Sequence, residues 1–390
     1  MTGLPIMGPT GVPYRSPTGV RGGVVRPDYE DIYFGMYRGG TTSYQTTSII
    51  RWNSTEQVYE DIGATLPISI ANTSSVRAMC MWRGKLVVSL GVKHSLFFYD
   101  NDTWVELPYA GDGLIETMVS YDDDLYVGGS IRSVGGVTVK RIARYDGTEW
   151  HAVGPNPGRD ASGPCHSLVV FGGELYAGGF QMRLYGSPID DPPFEELLEF
   201  NVNVMRLKSD DTWERVNRFT DTGTCYKLKV HRGIGDANGT LTRYVEFGTL
   251  FPLATAYRLQ LWSGIVDSDW FSVSPSGSIV DFESYGLNLA YVYTSGGSTK
   301  SWEGGDYSTL PGSFTALGHL QEELIGGTGF GFDAGNADHR GPWRYQESSE
   351  SWLPVGLRSQ PPESKLLPSI RTIESVKRSS FTAHADQPVI

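Results

Sequence analysis

Apolar and polar residues alternate along this chain in short bursts, and the bursts recur in a fixed order. The clearest stretch is LYVGGSIRSVGGVTVKRIARYDGTEWHAVG, residues 125–154. It reads as a strand, a glycine turn, a long loop, a strand, a two-residue Asp146-Gly147 turn and a further strand. Period-two alternation places successive side chains on opposite faces of a sheet. The Asp-Gly pair predicts a type I′ hairpin, which needs positive φ at both central positions.

Variants of the unit run through the chain. Its third strand and turn appear in IIRWNSTEQVYEDIG, LFFYDNDTWVELP, VMRLKSDDTWERVN, LQLWSGIVDSDWFSV, KSWEGGDYSTLPG and PWRYQESSESWLPVG. The residues before the turns are Trp52, Tyr99, Tyr145, Leu207, Trp262, Trp302 and Tyr345, at intervals of 47, 46, 62, 55, 40 and 43. The second strand recurs as IYFGMY, LVVSL, LYVGG, LYAGG, YVEFG, LAYVY and LIGG. A further strand precedes several of these: VRAMCMW, LIETMVSY, CHSLVVF and CYKLKVH. Four strands in a repeat of about 40–50 residues is the signature of a propeller blade. The expectation is an all-β, seven-bladed β-propeller of four-stranded antiparallel blades, with extended N- and C-terminal arms.

Trp104, Trp150, Trp213, Trp270 and Trp352 each fall just after the turn, at the start of the fourth strand. A large aromatic repeated there fills the wedge between neighbouring sheets. The Gly-Gly pairs are turn or close-packing positions. They lack the strand-to-helix context of a phosphate-binding loop. The motif [LI]-Y-x-G-G … I-A-R-Y-D-G-x-x-W-x-x-[VL]-G, carried by Leu125 to Gly154, resembles the degenerate kelch-like repeat of bacterial surface proteins and phage virion proteins. The resemblance covers residues 30–356 in pieces. It implies a propeller and says little of activity, because propellers host many functions.

The ends differ from the body. Residues 1–27 hold six Gly and five Pro and repeat PTGV at 9–12 and 17–20. They are expected to be an extended arm. Arg15, Arg21 and Arg26 give it +3, and residues 358–390 carry +2, which leaves −17 on the propeller, residues 28–357. Basic arms on an acidic body point to strands lying on neighbouring acidic surfaces, including other copies of the chain. Part of the C-terminal arm, LLPSIRTIE, is a candidate to add a strand to the first blade and close the ring. That would remove free sheet edges.

Composition narrows the function. A net charge of −12 argues against nucleic-acid binding through a general basic surface. The N-terminus MTGLPIMGPTGVPYR has no apolar core of the kind a secretory signal needs, and no membrane-spanning segment is expected. Cys80, Cys165 and Cys225 sit in strand-like runs and are expected to be buried free thiols. Seven His are scattered, and none lies near another His or Cys except in Cys165-His166, whose side chains point to opposite faces. No nucleophile elbow or copper-radical set is assignable. The turns NDTW, SDDTW and DGTEW share features with sialidase Asp-boxes but read as hairpin turns whose Asp bonds the backbone. Acidic loops that can begin a Ca²⁺ site are Asp122-Asp123-Asp124, Asp190-Asp191 with Glu195 and Glu196, and Asp333 with Asn336 and Asp338. The insertion at 180–201 is the candidate contact surface, through Asp190, Asp191 and Phe194.

No catalytic, cofactor or metal residues are assigned. The leading expectation is a non-enzymatic structural protein of a phage particle, tail-associated, present in multiple copies and bound to other virion proteins. The alternative is a glycan-binding adhesin or polysaccharide-degrading propeller that recognises a host-surface glycan.

Overall fold

A computed structural model describes residues 30–37, 49–53, 58–60, 62–66, 76–91, 96–154, 163–182, 202–215, 224–232, 243–250, 257–262, 271–272, 279–285, 288–293, 298–303, 306–314, 316–320, 323–327, 343–354 and 369–377. The described residues form thirty strands and two short 3-10 turns. Sheet A begins with β1 (Glu30–Tyr37), β2 (Ile49–Asn53) and β3 (Val58–Glu60). Sheet B is β4 (Val76–Trp82), β5 (Lys85–Leu90), β6 (Leu96–Asp100) and β7 (Thr103–Glu106). Sheet C is β8 (Ile115–Tyr121) and β9 (Asp124–Gly129), then, after the small hairpin β10 (Ser133–Val134) and β11 (Val137–Thr138), β12 (Ile142–Tyr145) and β13 (Trp150–Ala152).

Two meanders follow: D, β14 (Cys165–Phe171) to β15 (Glu174–Met182), β16 (Val202–Leu207) and β17 (Trp213–Arg215), and E, β18 (Thr224–Arg232) to β19 (Arg243–Leu250), β20 (Tyr257–Trp262) and β21 (Phe271–Ser272). One residue pair, Phe180↔Thr224, joins D and E into an eight-stranded sheet. Sheet F is β22 (Ile279–Tyr285), β23 (Asn288–Tyr293), β24 (Ser298–Glu303) and β25 (Asp306–Ser313). Sheet G is β26 (Ala316–Leu320), β27 (Glu323–Gly327), β28 (Trp343–Gln346) and β29 (Ser351–Pro354). The last strand, β30 (Ser369–Lys377), returns to the beginning. It pairs antiparallel with β1 from Glu30↔Lys377 to Tyr37↔Ser369 and completes sheet A.

The inner strands make a circle. β4 lies against β8, β8 against β14, β14 against β18, β18 against β22, β22 against β26, β26 against β30, and β30 against β4. Four-stranded antiparallel sheets arranged radially in this way are a β-propeller. The core sits between sheets rather than inside one layer. Tyr33 and Ile49 of sheet A pack with Met79, Val88 and Trp104 of sheet B, and Cys80, Val87 and Leu96 of sheet B pack with Met118, Val127 and Trp150 of sheet C.

The repeated Trp residues occupy these seams. Trp104 donates its indole N–H to the Ile62 carbonyl at 2.7 Å, and Trp150 donates to Pro108 at 2.7 Å, each 42 residues upstream on the exit from the preceding sheet. Trp213 packs with Tyr126 and Ile142 of sheet C, and Trp352 with Phe314 at a ring separation of 4.2 Å. Trp270 lies outside the described residues.

The Asp146-Gly147 hairpin departs from expectation. Tyr145 pairs with Trp150, so the loop holds four residues, and only Gly147 has positive φ, 104°. The cause is the Asp146 carboxylate. Its Oδ1 accepts the Thr148 N–H at 2.7 Å, the Thr148 hydroxyl at 2.6 Å and the Glu149 N–H at 2.9 Å, an Asx turn that competes with type I′. Two-residue turns with positive φ at both positions occur between third and fourth strands at Asn101-Asp102, and between first and second strands at Arg83-Gly84, Asp122-Asp123 and Gly172-Gly173.

Candidate interaction site on the inner strands

Each inner strand but β26 carries one extra residue near its start. The register slips over Arg77 in β4, Glu116 in β8, His166 in β14, Tyr226 in β18, Val280 in β22 and Arg371 in β30. A bulge re-aims the side chain that it inserts, and bulges recur beside functional sites. Here three successive bulge residues meet across sheets. Glu116 Oε2 lies 2.5 Å from His166 Nδ1, and the His166 ring stacks on Tyr226 at 4.9 Å and 25°. Their neighbours Ile115, Cys165 and Cys225 are buried, whereas Tyr226 is 38% exposed. Arg77 begins the row, and its Nε is buried without a hydrogen-bond partner among the described residues.

The residue after the bulge stitches sheet to sheet. Thr117 Oγ1 accepts the Leu168 N–H at 2.9 Å, Ser167 Oγ accepts the Leu228 N–H at 2.9 Å, and Asp281 Oδ2 accepts the Leu317 N–H at 2.9 Å. Lys227 stands at this position in β18 and cannot accept. Its ammonium donates instead to Asp281 Oδ1. Lys229 Nζ lies 2.5 Å from Glu283 Oε2 and 3.5 Å from Asp281. Burial alone would raise the Asp281 pKa. The two ammoniums and the Leu317 N–H outweigh it and hold the carboxyl below its usual value.

The second-strand glycines face the bulges. A Cβ built on Gly128 falls 2.7 Å from Cys165 Sγ, and one on Gly178 falls 2.6 Å from Cys225 Sγ. Each glycine thus admits a thiol of the next sheet. Cys80, Cys165 and Cys225 are free and buried. Burial pushes the Cys165 and Cys225 thiols far above the ordinary range, which keeps them protonated and unreactive.

Of the acidic runs, Asp122-Asp123-Asp124 is committed elsewhere. Asp123 pairs with Arg83 at 3.1 Å and Asp124 with Arg144 at 2.8 Å. Asp122 and Asp123 supply the positive-φ turn, so two of the three carboxylates answer arginines rather than converge on a Ca²⁺ ion. Asp190, Asp191, Phe194, Glu195, Glu196, Asp333, Asn336 and Asp338 lie outside the described residues, as do Arg15, Arg21 and Arg26. Counting His and Cys spacings missed one group. Ligand atoms of Asp146, Glu149 and His151 lie within 4.8 Å of one another, with His151 Nε2 2.7 Å from Asp146 Oδ2. The Thr148 hydroxyl, the Glu149 N–H and the His151 ring together hold the Asp146 carboxyl well below the usual carboxylate range. This group sits on an outer hairpin, away from the bulge row.

No family model matches the chain, and no curated protein matches it. Among solved structures it is similar to a chain of a nidogen/laminin complex, with 13% identity, 70% of this chain and 89% of that chain covered, and a TM-score of 0.42. It is also similar to the Cps50 (Swd1) β-propeller domain of Myceliophteria thermophila, with 9% identity, 71% and 86% covered, and a TM-score of 0.44. U3-55K is a third such structure, with 12% identity, 72% and 80% covered, and a TM-score of 0.43. Likeness at this level says nothing of partners or activity. The strand pairing and the closed circle of inner strands make the chain a β-propeller.

Proposed function

We propose that the chain is a rigid, non-enzymatic assembly scaffold: a seven-bladed propeller with kelch-like repeats, counting D and E as separate blades. The observation that carries this reading is the commitment of inner-strand polar groups to sheet-to-sheet bonds, through Thr117, Ser167, Lys227, Lys229, Asp281 and Glu283. Polar groups spent in this way rigidify a disc. In the particle reading the disc is a tail-associated component of a phage virion, present in several copies and bound to other virion proteins. Its basic N-terminal arm, with Arg15, Arg21 and Arg26, lies on acidic neighbouring surface, because the body carries −17. No helix among the described residues is long and apolar enough to cross a membrane.

The test removes residues 1–27 and measures co-assembly with the particle proteins at low and high salt. The expected result is lost incorporation for the truncated chain and, for the intact chain, incorporation that weakens as salt screens the arm. Undiminished incorporation of the truncated chain contradicts the proposal.

A further inference from the structure

We infer that the bulge row Arg77, Glu116, His166 and Tyr226 is a binding site for an acidic saccharide, a pyranose ring bearing a carboxylate. The inference does not rest on the scaffold reading. Register slips put these four side chains at equivalent places on the inner strands of four consecutive sheets, β4, β8, β14 and β18. Their chemistry divides into three parts. Glu116 and His166 satisfy one another at 2.5 Å through Nδ1, which leaves the imidazole Nε2 without a hydrogen bond among the described residues. A sugar hydroxyl can serve that nitrogen as donor or acceptor. Tyr226 presents 38% of its surface, while the His166 ring holds it by stacking. A held, exposed aromatic is the kind of face that a pyranose C–H surface covers.

The third part is charge. The Glu116 carboxylate already has the His166 ring as its partner. The cation left in the row is Arg77, whose buried Nε lacks an acceptor among the described residues. Arg77 makes no ion pair among the described residues, and a carboxylate fits the fork of the guanidinium's outer nitrogens best. A neutral sugar would cover Tyr226 and leave Arg77 unanswered. An inorganic anion would answer Arg77 and leave the aromatic exposed. A saccharide that carries a carboxylate offers a partner to each.

The experiment titrates glucuronate, glucose and a short polyglucuronate oligosaccharide into the full chain. Binding is read by calorimetry and by the His166 imidazole NMR signals, which are assigned with the His166→Gln variant. The expected result is saturable glucuronate binding in the millimolar range, with glucose at least about tenfold weaker. The His166 signals should shift. Tyr226→Ala and Arg77→Met should each weaken glucuronate at least about tenfold without loss of fold. Tighter binding of the oligosaccharide assigns the site to a glycan chain, and equal binding assigns it to free sugar acid. Tyr226 is exposed, so its variant and the wild-type NMR titration remain informative even if Arg77→Met fails to fold. The inference is overturned if glucuronate does not saturate, if glucose binds equally well, or if Tyr226→Ala binds unchanged with His166 signals unmoved.

Discussion

Gly128 and Cys165 illustrate how single residues set the spacing between sheets. The glycine is in β9 and the thiol in β14 of the next sheet, and a methyl at the first would fall 2.7 Å from the sulfur. Gly178 and Cys225 repeat the arrangement one sheet further on, at 2.6 Å. Gly128→Ala should therefore cost about 1–3 kcal/mol from overpacking. Cys165→Ala in the same chain should recover part of that loss, because it removes the sulfur and leaves the Thr117 methyl, 2.8 Å away, as the remaining close neighbour. Urea midpoints of the four chains in a double-mutant cycle measure the coupling, and strict additivity would contradict the close approach. Asp281 makes a residue-scale prediction in pH. Its folded-state pKa lies below its unfolded value, so its stabilisation is full above about pH 4 and is lost as pH falls through the folded pKa. Asp281→Asn should lower stability at pH 7, by at most about 3–5 kcal/mol, since it strands Lys227 while Lys229 keeps Glu283. It should also flatten the decline in stability below about pH 4. An unchanged acid decline in that variant would show that Asp281 is not the group responsible.

At the scale of elements, the recurring Trp is a hinge pin between sheets, and its indole N–H matters as much as its area. Trp150 reaches the Pro108 carbonyl at 2.7 Å, whereas Trp352 Nε1 is buried without a partner among the described residues. Trp150→Phe strands a carbonyl and should cost about 1–3 kcal/mol, while Trp352→Phe removes an unsatisfied donor and should cost less. Thermal unfolding of both variants gives the comparison, and equal losses would argue that packing alone matters. The strands themselves were legible in the sequence. Trp52, Tyr99, Tyr145, Leu207, Trp262, Trp302 and Tyr345 all lie on third strands, because period-two patterning and turn residues act locally. The bulges were not legible, since one inserted residue leaves no compositional mark. The stretches CHSL and CYKL share the feature in retrospect: a buried Cys, then a polar aromatic ring, then a side chain that bonds the next sheet. The cross-sheet chemistry was hidden for another reason. Glu116 and His166 are 50 residues apart and Lys227 and Asp281 are 54 apart, so only the ring brings them together. The Asp146 hairpin is longer than its Asp-Gly pair predicts because a carboxylate able to bond three donors outweighs the Asp-Gly preference.

For the whole molecule, the account depends on the two ends of the propeller sharing one sheet. β1 opens the described chain, β30 closes it, and their pairing turns a row of meanders into a ring with no open inner edge. Without that pairing the seams between sheets remain, but the circle of inner strands, the bulge row and the stitched bonds lose the geometry that fixes them. The most direct measurement is a cross-link at Glu30→Cys and Lys377→Cys, which face each other at the ends of the two strands. Directly opposed strand residues have Cα atoms roughly 4.5–5.5 Å apart, within disulfide reach. The account predicts near-complete disulfide formation under mild oxidation in the folded chain and a higher unfolding temperature, because the bond closes almost the whole chain into a loop. A control with Glu30→Cys and Glu374→Cys, out of register, should stay reduced. Free thiols at the in-register pair in a folded protein, or equal cross-linking of the control, would contradict the closed ring.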